Sequence, residues 1–210
     1  MGESARAAAA ARAAELARGM SRGPLHGVPI AVKDLCDTHD APTAAGMAIH
    51  RDRRPTEDCT VVARLRAAGA VIVGKLAQTE GAFAGHHPDM PTPVNPWNKD
   101  VWTGVSSSGS GVATAAGLCL GSTGSDTGGS IRFPSHGCGV TGLKPTWGRI
   151  SRAGHARLAD SLDHVGPMSR TAVGCAAMLA AMAGPDPRDP TAAPVPLSDY
   201  VAACSAPVAG

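Results

Sequence analysis

The chain has 210 residues, 43% of them hydrophobic and 17% charged, a composition typical of a globular protein long enough for one domain with a sizeable core. Its formal net charge is only +2, and its densest basic cluster, residues 51–54, contains Asp52 and precedes Pro55. This pattern favours a solvated loop over a nucleic-acid-binding patch, so we expect no direct binding of nucleic acid. Aromatic residues make up only 3% of the chain, whereas there are 26 glycines and 17 prolines, so we expect a core of small and aliphatic side chains.

The first part of the chain favours a helix over a targeting signal. Residues 3–18 consist mainly of Ala, Arg, Glu and Leu and are followed by Gly19, which predicts an N-terminal helix within residues 1–22. Charged residues interrupt the alanines, so the apolar stretch of a secretory signal is missing. The charge-free residues 101–125 are dense in Gly, Ser and Thr and would be a poor membrane span. We therefore expect a cytoplasmic protein without a membrane anchor.

The six cysteines are spread along the whole chain, at Cys36, Cys59, Cys119, Cys138, Cys175 and Cys204. No C-x-x-C pair indicates a zinc or redox motif, and the eight histidines include no H-E-x-x-H pattern. We interpret the cysteines as reduced, mostly buried thiols, which agrees with a cytoplasmic location. The sequence predicts no metal site and no organic cofactor.

Helical and strand-like segments alternate after the N-terminal helix. Val28–Val32 is a short apolar strand that ends at Lys33, and the carboxyl end of a buried strand is where open α/β sheets place ligand chemistry. A lysine at such a position could also extend to solvent as a surface residue. Residues 56–68 fit an amphipathic helix, and Gly69 separates them from a strand over Ala70–Val73. Helix, glycine and strand in this order are typical of an α/β fold.

The later elements are shorter. Residues 81–102 contain four prolines and predict a long surface loop. The remaining patterns predict a small-residue helix over 109–118, a short strand or loop over 121–126, a short strand over 140–143 and a helix over 171–182. Residues 185–210 are rich in Pro, Ala and Asp and offer little to a core.

Two Gly/Ser-rich stretches are the most informative part of the sequence. They are Gly104-Val-Ser-Ser-Ser-Gly-Ser-Gly111 and Gly124-Ser-Asp-Thr-Gly-Gly-Ser-Ile-Arg-Phe-Pro134. A flexible linker is the alternative interpretation, but both stretches adjoin apolar, helix-like or strand-like residues and not disordered sequence. Small residues let backbone N–H groups converge on a reacting atom, and residues 128–130 combine two glycines with a serine hydroxyl. Acyl transfer to a serine requires this combination.

With these stretches the chain resembles the amidase signature hydrolases. The resemblance is carried by ordered motifs: Gly23-Pro-Leu-His-Gly-Val-Pro-Ile-Ala-Val-Lys-Asp34, Thr60-Val-Val-Ala-Arg-Leu-Arg-Ala-Ala-Gly-Ala-Val-Ile-Val-Gly-Lys75, Asn95-Pro-Trp97, the segment from Ser106 to Ser130, Gly139-Val-Thr-Gly-Leu-Lys-Pro-Thr146, Ser161-Leu-Asp-His-Val-Gly-Pro-Met168 and Asp186-Pro-Arg-Asp-Pro190. They span most of the chain, so the resemblance is specific.

The resemblance implies a Ser-Ser-Lys triad without a metal or organic cofactor. Lys33 would be the terminal base, Ser106 in a cis peptide would relay the proton, and Ser130 would be the nucleophile. The family's oxyanion donors would be the backbone amides of Thr127, Gly128, Gly129 and Ser130. A lysine serves as a base only if burial and nearby donors lower its pKa from about 10.4 toward neutrality, so Lys33 should be buried.

Two departures from the family pattern modify this expectation. The commoner serine loop is Gly-Gly-Ser-Ser-Gly-Gly-Ser, whereas here the β-branched Val105 directly precedes Ser106 and crowds the expected cis peptide. Ser107 is therefore an alternative relay. Family members also run well beyond 210 residues, and the additional part normally completes the sheet and supplies much of the substrate pocket. We accordingly expect an incomplete form of the fold that aggregates unless a further segment complements it.

Taken together, the sequence predicts an α/β protein with a mixed sheet flanked by helices. Its predicted parts are an N-terminal helix (1–22), an amidase signature catalytic region (23–184) and a Pro/Ala-rich C-terminal segment (185–210). The predicted function is hydrolysis of a small-molecule carboxylic amide through a seryl acyl-enzyme. Two alternatives are the A component of the tRNA-dependent amidotransferase, acting as a glutaminase, and an inactive truncated remnant or partner-dependent component. A homodimer or a complementing C-terminal segment is the expected protein partner.

Overall fold

The structure, a computed structural model, describes residues 1–207, so the last three residues of the predicted C-terminal segment lie outside it. In chain order its elements are α1 (Gly2–Ala17), β1 (Pro29–Lys33), α2 (Thr60–Ala67), β2 (Val71–Leu76), α3 (Ser108–Ala115), β3 (Gly121–Asp126), α4 (Arg132–Cys138), β4 (Thr141–Gly142), β5 (His164–Ser169), α5 (Ala172–Met182) and α6 (Tyr200–Ala203). Three of them, α4, β5 and α6, are absent from the sequence-based prediction. Among residues 1–207, no helix has both the length and the apolar character needed to cross a bilayer.

Five strands form one mixed sheet in the order β2-β1-β3-β5-β4. β1 runs parallel to both of its neighbours, whereas β5 runs antiparallel to β3 and β4. This confirms the predicted α/β fold with a mixed sheet and flanking helices. Because β1 and β3 are parallel neighbours, their carboxyl ends lie side by side at the same edge of the sheet.

The two faces of β1 meet different surroundings, since side chains alternate along a strand. Ile30 and Val32 belong to the larger hydrophobic core, which also contains apolar side chains of α2 and α5. Ala31 belongs to a small second cluster with Ala113 of α3. Lys33 lies two positions after Ala31 and therefore on the face that α3 covers.

Helix α3 packs very closely against its neighbours because its residues are small. A Cβ atom added to Gly109 would lie 2.5 Å from the Ala77 carbonyl oxygen, and one added to Gly111 would lie 2.9 Å from the Pro134 carbonyl oxygen. Both distances are shorter than a van der Waals contact, so larger side chains would push the helix away from the segment after β2 and from α4. The close packing brings the serines at the start of α3 to the edge of the sheet where β1 ends.

Residues 185–190 are held more firmly than their composition predicts. The buried carboxylate of Asp186 accepts hydrogen bonds from the hydroxyls of Thr60 and Ser151, and the buried carboxylate of Asp189 accepts one from the backbone N–H of Arg152 at 2.7 Å. Carboxylates that are buried with such donors stabilise the contact between segments. Residues 186 and 189 are thereby fixed to the start of α2 and to residues 151–152.

Candidate active site

Lys33 is the last residue of β1, and its side chain is fully buried. The ammonium group donates hydrogen bonds to Ser106 Oγ at 2.7 Å and to Ser125 Oγ at 2.8 Å. Its backbone N–H donates to Thr123 Oγ1 at 3.0 Å, so a hydroxyl of β3 replaces a carbonyl partner where the β1–β3 pairing ends. The lysine is thus enclosed by serines and does not extend to solvent.

Burial lowers the pKa of Lys33 from 10.5 to about 7, because the ammonium form loses its hydration. Cys36, Asp126 and Asp163 act in the opposite direction, since negative charge favours the protonated form, but they do not offset the loss of water. With a pKa near 7, about half of the lysines are neutral at neutral pH and able to accept a proton.

Ser106 and Ser107 lie at the start of α3 and have different partners. The peptide bond between Val105 and Ser106 is cis. The Ser106 hydroxyl contacts Lys33, whereas the Ser107 hydroxyl donates to the Ser125 carbonyl at 3.3 Å and accepts from the Ser125 N–H at 3.2 Å. Ser107 therefore ties α3 to β3, and Ser106 alone of the two faces the lysine.

Ser130 lies in the loop between β3 and α4. Its carbonyl accepts a hydrogen bond from the Ser107 N–H at 3.3 Å, which holds this loop against the start of α3. Ser130 lines a cavity of about 350 Å³, and its hydroxyl forms no hydrogen bond with another described residue. The structure thus places Lys33 and Ser106 in direct contact and joins Ser130 to them through the backbone only.

The loop that precedes Ser130 offers several unpaired backbone donors. Within residues 1–207, the N–H groups of Thr127, Gly128 and Ser130 have no hydrogen-bond partner. Gly129 differs, because its N–H donates to Asp126 Oδ1 at 2.8 Å. Three of the four predicted oxyanion donors are therefore free, and the fourth is occupied by a carboxylate.

Asp126, the last residue of β3, organises this loop. It is 1% exposed and accepts hydrogen bonds from the Ile131 N–H at 3.2 Å and from the Arg132 guanidinium at 2.9 and 3.0 Å. Burial favours a higher pKa for Asp126, but the Arg132 and Ile131 hydrogen bonds outweigh it and lower the pKa below its usual value. The pairing of Asp126 with Arg132 was not predicted from the sequence. It could have been suspected, because these are two opposite charges in a stretch that otherwise contains small and apolar residues.

The cavity at Ser130 is mainly apolar. It is lined by Ala82, Phe83, Ala84, Val105, Thr127, Gly128, Ser130, Phe133, Leu158 and Leu162. None of these side chains is charged, and the large ones are solvent-exposed, with Phe83 at 71% and Leu162 at 54%. Exposed apolar side chains around a hydroxyl indicate a site for an apolar group.

Potential metal ligands come together elsewhere. Among the residues that the structure describes, two clusters could hold an ion: Cys36 with Cys59 and His155, and the more exposed His39 with Asp40 and Asp58. Neither cluster includes a residue of the predicted triad. All six cysteines are free, and only Cys204 is exposed.

Comparison with known proteins gives one consistent result. The family model "Amidase" matches residues 1–209. Over 202 residues the chain is 65% identical to the "Putative amidase AmiD" of Mycobacterium tuberculosis, covering 96% of this chain and 42% of that protein. It is 49% identical over 200 residues to the A component of the glutamyl-tRNA(Gln) amidotransferase of Anaeromyxobacter sp. strain K, covering 94% of this chain and 41% of that one.

A solved structure gives the same result in three dimensions. The native peptide amidase of Stenotrophomonas maltophilia superposes with a TM-score of 0.87 at 40% identity, covering 94% of this chain and 42% of the peptide amidase. The chain therefore spans less than half the length of the relatives that it matches.

Proposed function

The chain belongs to the amidase family, and from that premise we propose that it carries the catalytic centre of an amide hydrolase. In this proposal Ser130 is the nucleophile, Ser106 the proton relay and Lys33 the base. The observation that carries it is the 2.7 Å contact between the Ser106 hydroxyl and a buried lysine whose pKa lies near 7. A lysine this deeply buried is expected to have a functional role, since an ordinary surface lysine would retain its hydration.

The first half of the reaction forms an acyl-enzyme. Neutral Lys33 accepts the proton of Ser106 while Ser106 accepts the proton of Ser130, and the Ser130 oxygen attacks the carbonyl carbon. The tetrahedral intermediate then loses its C–N bond. The proton held by Lys33 returns through Ser106 to the leaving nitrogen, so ammonia or an amine departs and the acyl group stays on Ser130.

The second half repeats the relay with water. Lys33 draws a proton through Ser106 from the attacking water. The proton then returns through Ser106 to the Ser130 oxygen as the ester bond breaks, and the carboxylic acid leaves. The hydrogen bond between Ser130 and Ser106 would form with bound substrate, because catalytic hydrogen bonds of a free enzyme are often long and tighten in the complex. The residues of the centre account for every proton, so the scheme needs no metal or organic cofactor.

The free amides of the loop after β3 are the proposed oxyanion donors. Thr127, Gly128 and Ser130 carry the unpaired N–H groups, and all three residues line the cavity. Such donors stabilise the charge that develops on the carbonyl oxygen in the transition state. Gly129 would join them only if its N–H left Asp126.

The apolar cavity suggests the class of substrate. Phe83, Phe133 and Leu162 can contact an apolar acyl or amine group, and no charged side chain of the described residues lines the cavity. We therefore propose a small neutral amide with an apolar substituent. A panel of aliphatic and aromatic amides, compared with amino-acid amides, tests this preference through kcat/KM.

A second candidate function is release of ammonia from glutamine for a partner protein. The 49% identity to the A component of an amidotransferase favours it. The serine loop and the uncharged cavity favour the first candidate, because free glutamine carries both an ammonium and a carboxylate group that need polar partners. Glutaminase activity that exceeds hydrolysis of apolar amides, and rises when a partner is added, would reverse this order.

A fluorophosphonate probe tests the nucleophile directly. With the protein expressed from its whole natural reading frame, we expect one label per chain, at Ser130. Ser130→Ala should lose the label and lower turnover by about four to six orders of magnitude, since the covalent step disappears. Ser21→Ala, in an exposed loop, is the control and should keep both properties. A folded protein that takes no label would support the inactive remnant, and a label on another serine would contradict the assignment of Ser130.

A further inference from the structure

Three metal-ligating side chains meet outside the proposed catalytic centre. Cys36 follows β1, Cys59 directly precedes α2, and His155 lies between β4 and β5. Their ligand atoms all lie within 4.8 Å of one another, and Cys59 Sγ is 3.8 Å from His155 Nε2. None of the three has a role in the proposed amide hydrolysis.

The backbone fixes this cluster in place. Cys36 and His155 form an antiparallel bridge, and the Cys59 N–H donates to the Asp37 carbonyl at 2.9 Å. The Asp37 N–H in turn donates to the Gly154 carbonyl at 3.0 Å. Three segments that are distant in sequence are thus locked together, so the three ligands are held by main-chain contacts and not by flexible side chains.

One distance between ligand atoms agrees with a tetrahedral zinc site. With Zn–S bonds of about 2.3 Å and Zn–N bonds of about 2.0–2.1 Å, tetrahedral angles give about 3.6 Å between sulfur and nitrogen and about 3.8 Å between two sulfurs. The 3.8 Å between Cys59 Sγ and His155 Nε2 is close to the first value. The two distances that involve Cys36, each within 4.8 Å, would have to shorten by up to about 1.2 Å on coordination.

The cluster is buried and incompletely paired. Cys36 is 1% and Cys59 0% exposed, and His155 Nδ1 is buried with no hydrogen-bond partner among the described residues. Binding a metal would convert these thiols to thiolates, the form of cysteine that coordinates metals.

We propose that Cys36, Cys59 and His155 bind a zinc ion at a fixed site outside the catalytic centre. Binding displaces the remaining thiol protons to solvent and leaves one coordination position for water. The ion would cross-link the segment after β1, the start of α2 and the segment before β5. This site does not depend on the proposed amidase activity, and its test uses no activity measurement.

Metal content and cobalt spectroscopy test the site. In the protein from its whole reading frame, purified without chelators, we expect about one zinc per chain. Cobalt in place of zinc should give a thiolate-to-metal charge-transfer band. At a hundredfold excess of zinc over its Kd, the free energy of unfolding should rise by about 2.7 kcal/mol, so the midpoint of thermal unfolding should lie above that of the chelated protein.

Matched variants locate the ligands. Cys59→Ala and His155→Ala should each weaken zinc binding at least about tenfold in competition with a chelator. Cys119→Ala, at a buried cysteine outside the cluster, and His39→Ala, in the exposed acidic cluster, should leave affinity unchanged. If an alanine variant fails to fold by circular dichroism, His155→Gln provides the same test at a less buried residue.

Two results would overturn the proposal. One is zinc and cobalt binding no stronger than in a Cys36→Ala/Cys59→Ala double variant. The other is a zinc-free protein whose mass is lower by two hydrogens and which contains a Cys36–Cys59 disulfide, because the pair would then be a redox site.

Discussion

Two buried polar clusters flank Thr123, and they differ in how their groups are paired. Thr123 Oγ1 accepts the Lys33 backbone N–H at 3.0 Å and lies 3.4 Å from Cys36 Sγ. On one side, the Lys33 ammonium has two serine hydroxyls as partners. On the other side, His155 Nδ1 has no partner among the described residues.

This difference shows that burial alone does not determine the chemistry of a polar cluster. In the lysine cluster, protein hydroxyls satisfy the buried group, and the remaining effect of burial is a pKa near 7 that suits a base. In the cysteine–histidine cluster, two thiols and an imidazole nitrogen converge, and these are atoms that zinc binds. We propose proton transfer for the first cluster and metal binding for the second.

Replacement of Lys33 should give the largest effect. Lys33→Arg should lower kcat/KM about a thousandfold to ten-thousandfold, because a guanidinium stays charged and cannot accept the Ser106 proton. Lys33→Met should lose a similar amount. Steady-state kinetics on an amide substrate measure both variants, and Lys99→Arg, at a lysine whose side chain is 79% exposed, is the control. Near-normal rates with arginine would show that Lys33 only supplies positive charge.

Replacement of Ser106 should give the second-largest loss of activity, whereas replacement of Ser107 should mainly affect stability. Ser106→Ala should lower kcat/KM about a hundredfold to a thousandfold, because the path between Ser130 and Lys33 is interrupted. Ser107→Ala should mainly lower stability, by about 1–3 kcal/mol, since its hydroxyl pairs with the buried Ser125 backbone. Kinetics and urea unfolding on both variants separate the two roles. A larger catalytic loss at Ser107 would contradict the relay.

The contact between Lys33 and Ser106 was expected only from the family resemblance, which rests on contiguous motifs. From the residues alone, a lysine at the end of an apolar strand could equally have extended to solvent. The α/β fold followed from the order of helix, glycine and strand. By contrast, residues 36, 59 and 155 share no motif, and only tertiary packing brings them together.

Two overlooked elements have a common physical cause. β5 contains Gly166-Pro167, and α4 contains Pro134 near its start, both of which favour turns or loops in a sequence. In α4 the proline lies in the first turn, where a backbone N–H has no helical partner in any case. In β5 the Pro167 carbonyl still accepts a hydrogen bond from the Leu143 N–H at 3.0 Å. Tertiary pairing therefore outweighed local preference.

The dependence of kcat/KM on pH should show the pKa of Lys33. The expected change per pH unit is smaller than the losses in the variants above. The folded-state pKa of about 7 lies below the ordinary 10.5, so Lys33 is protonated and inactive below pH 7 and neutral above it. We expect kcat/KM to fall about tenfold per pH unit below pH 7 and to level off above it.

Stability provides an independent check of the same pKa, because the unfolded chain binds the additional proton between pH 7 and 10.5. Relative to Lys33→Met, the free energy of unfolding should therefore rise over that range, by up to about 1.4 kcal/mol per pH unit. A rate that is flat from about pH 5.5 to 8 would contradict a neutral-lysine base.

Thr123→Val should have the smallest effect on the rate. It tests whether the two clusters depend on each other, because the Thr123 hydroxyl contacts both. Valine keeps the shape but leaves the buried Lys33 N–H without an acceptor, so we expect a loss of about 1–3 kcal/mol in the free energy of unfolding. The rate loss should stay below that of Ser106→Ala, since the contact between Lys33 and Ser106 is retained. Urea unfolding and kinetics measure the two effects.

Thr141→Val is the matched control, at a half-buried threonine whose hydroxyl has no hydrogen bond with the described residues. It should change stability by less than about 0.5 kcal/mol. Equal stability of the Thr123 and Thr141 variants would mean that the Thr123 hydroxyl does not hold the end of β1, and that the two clusters are independent.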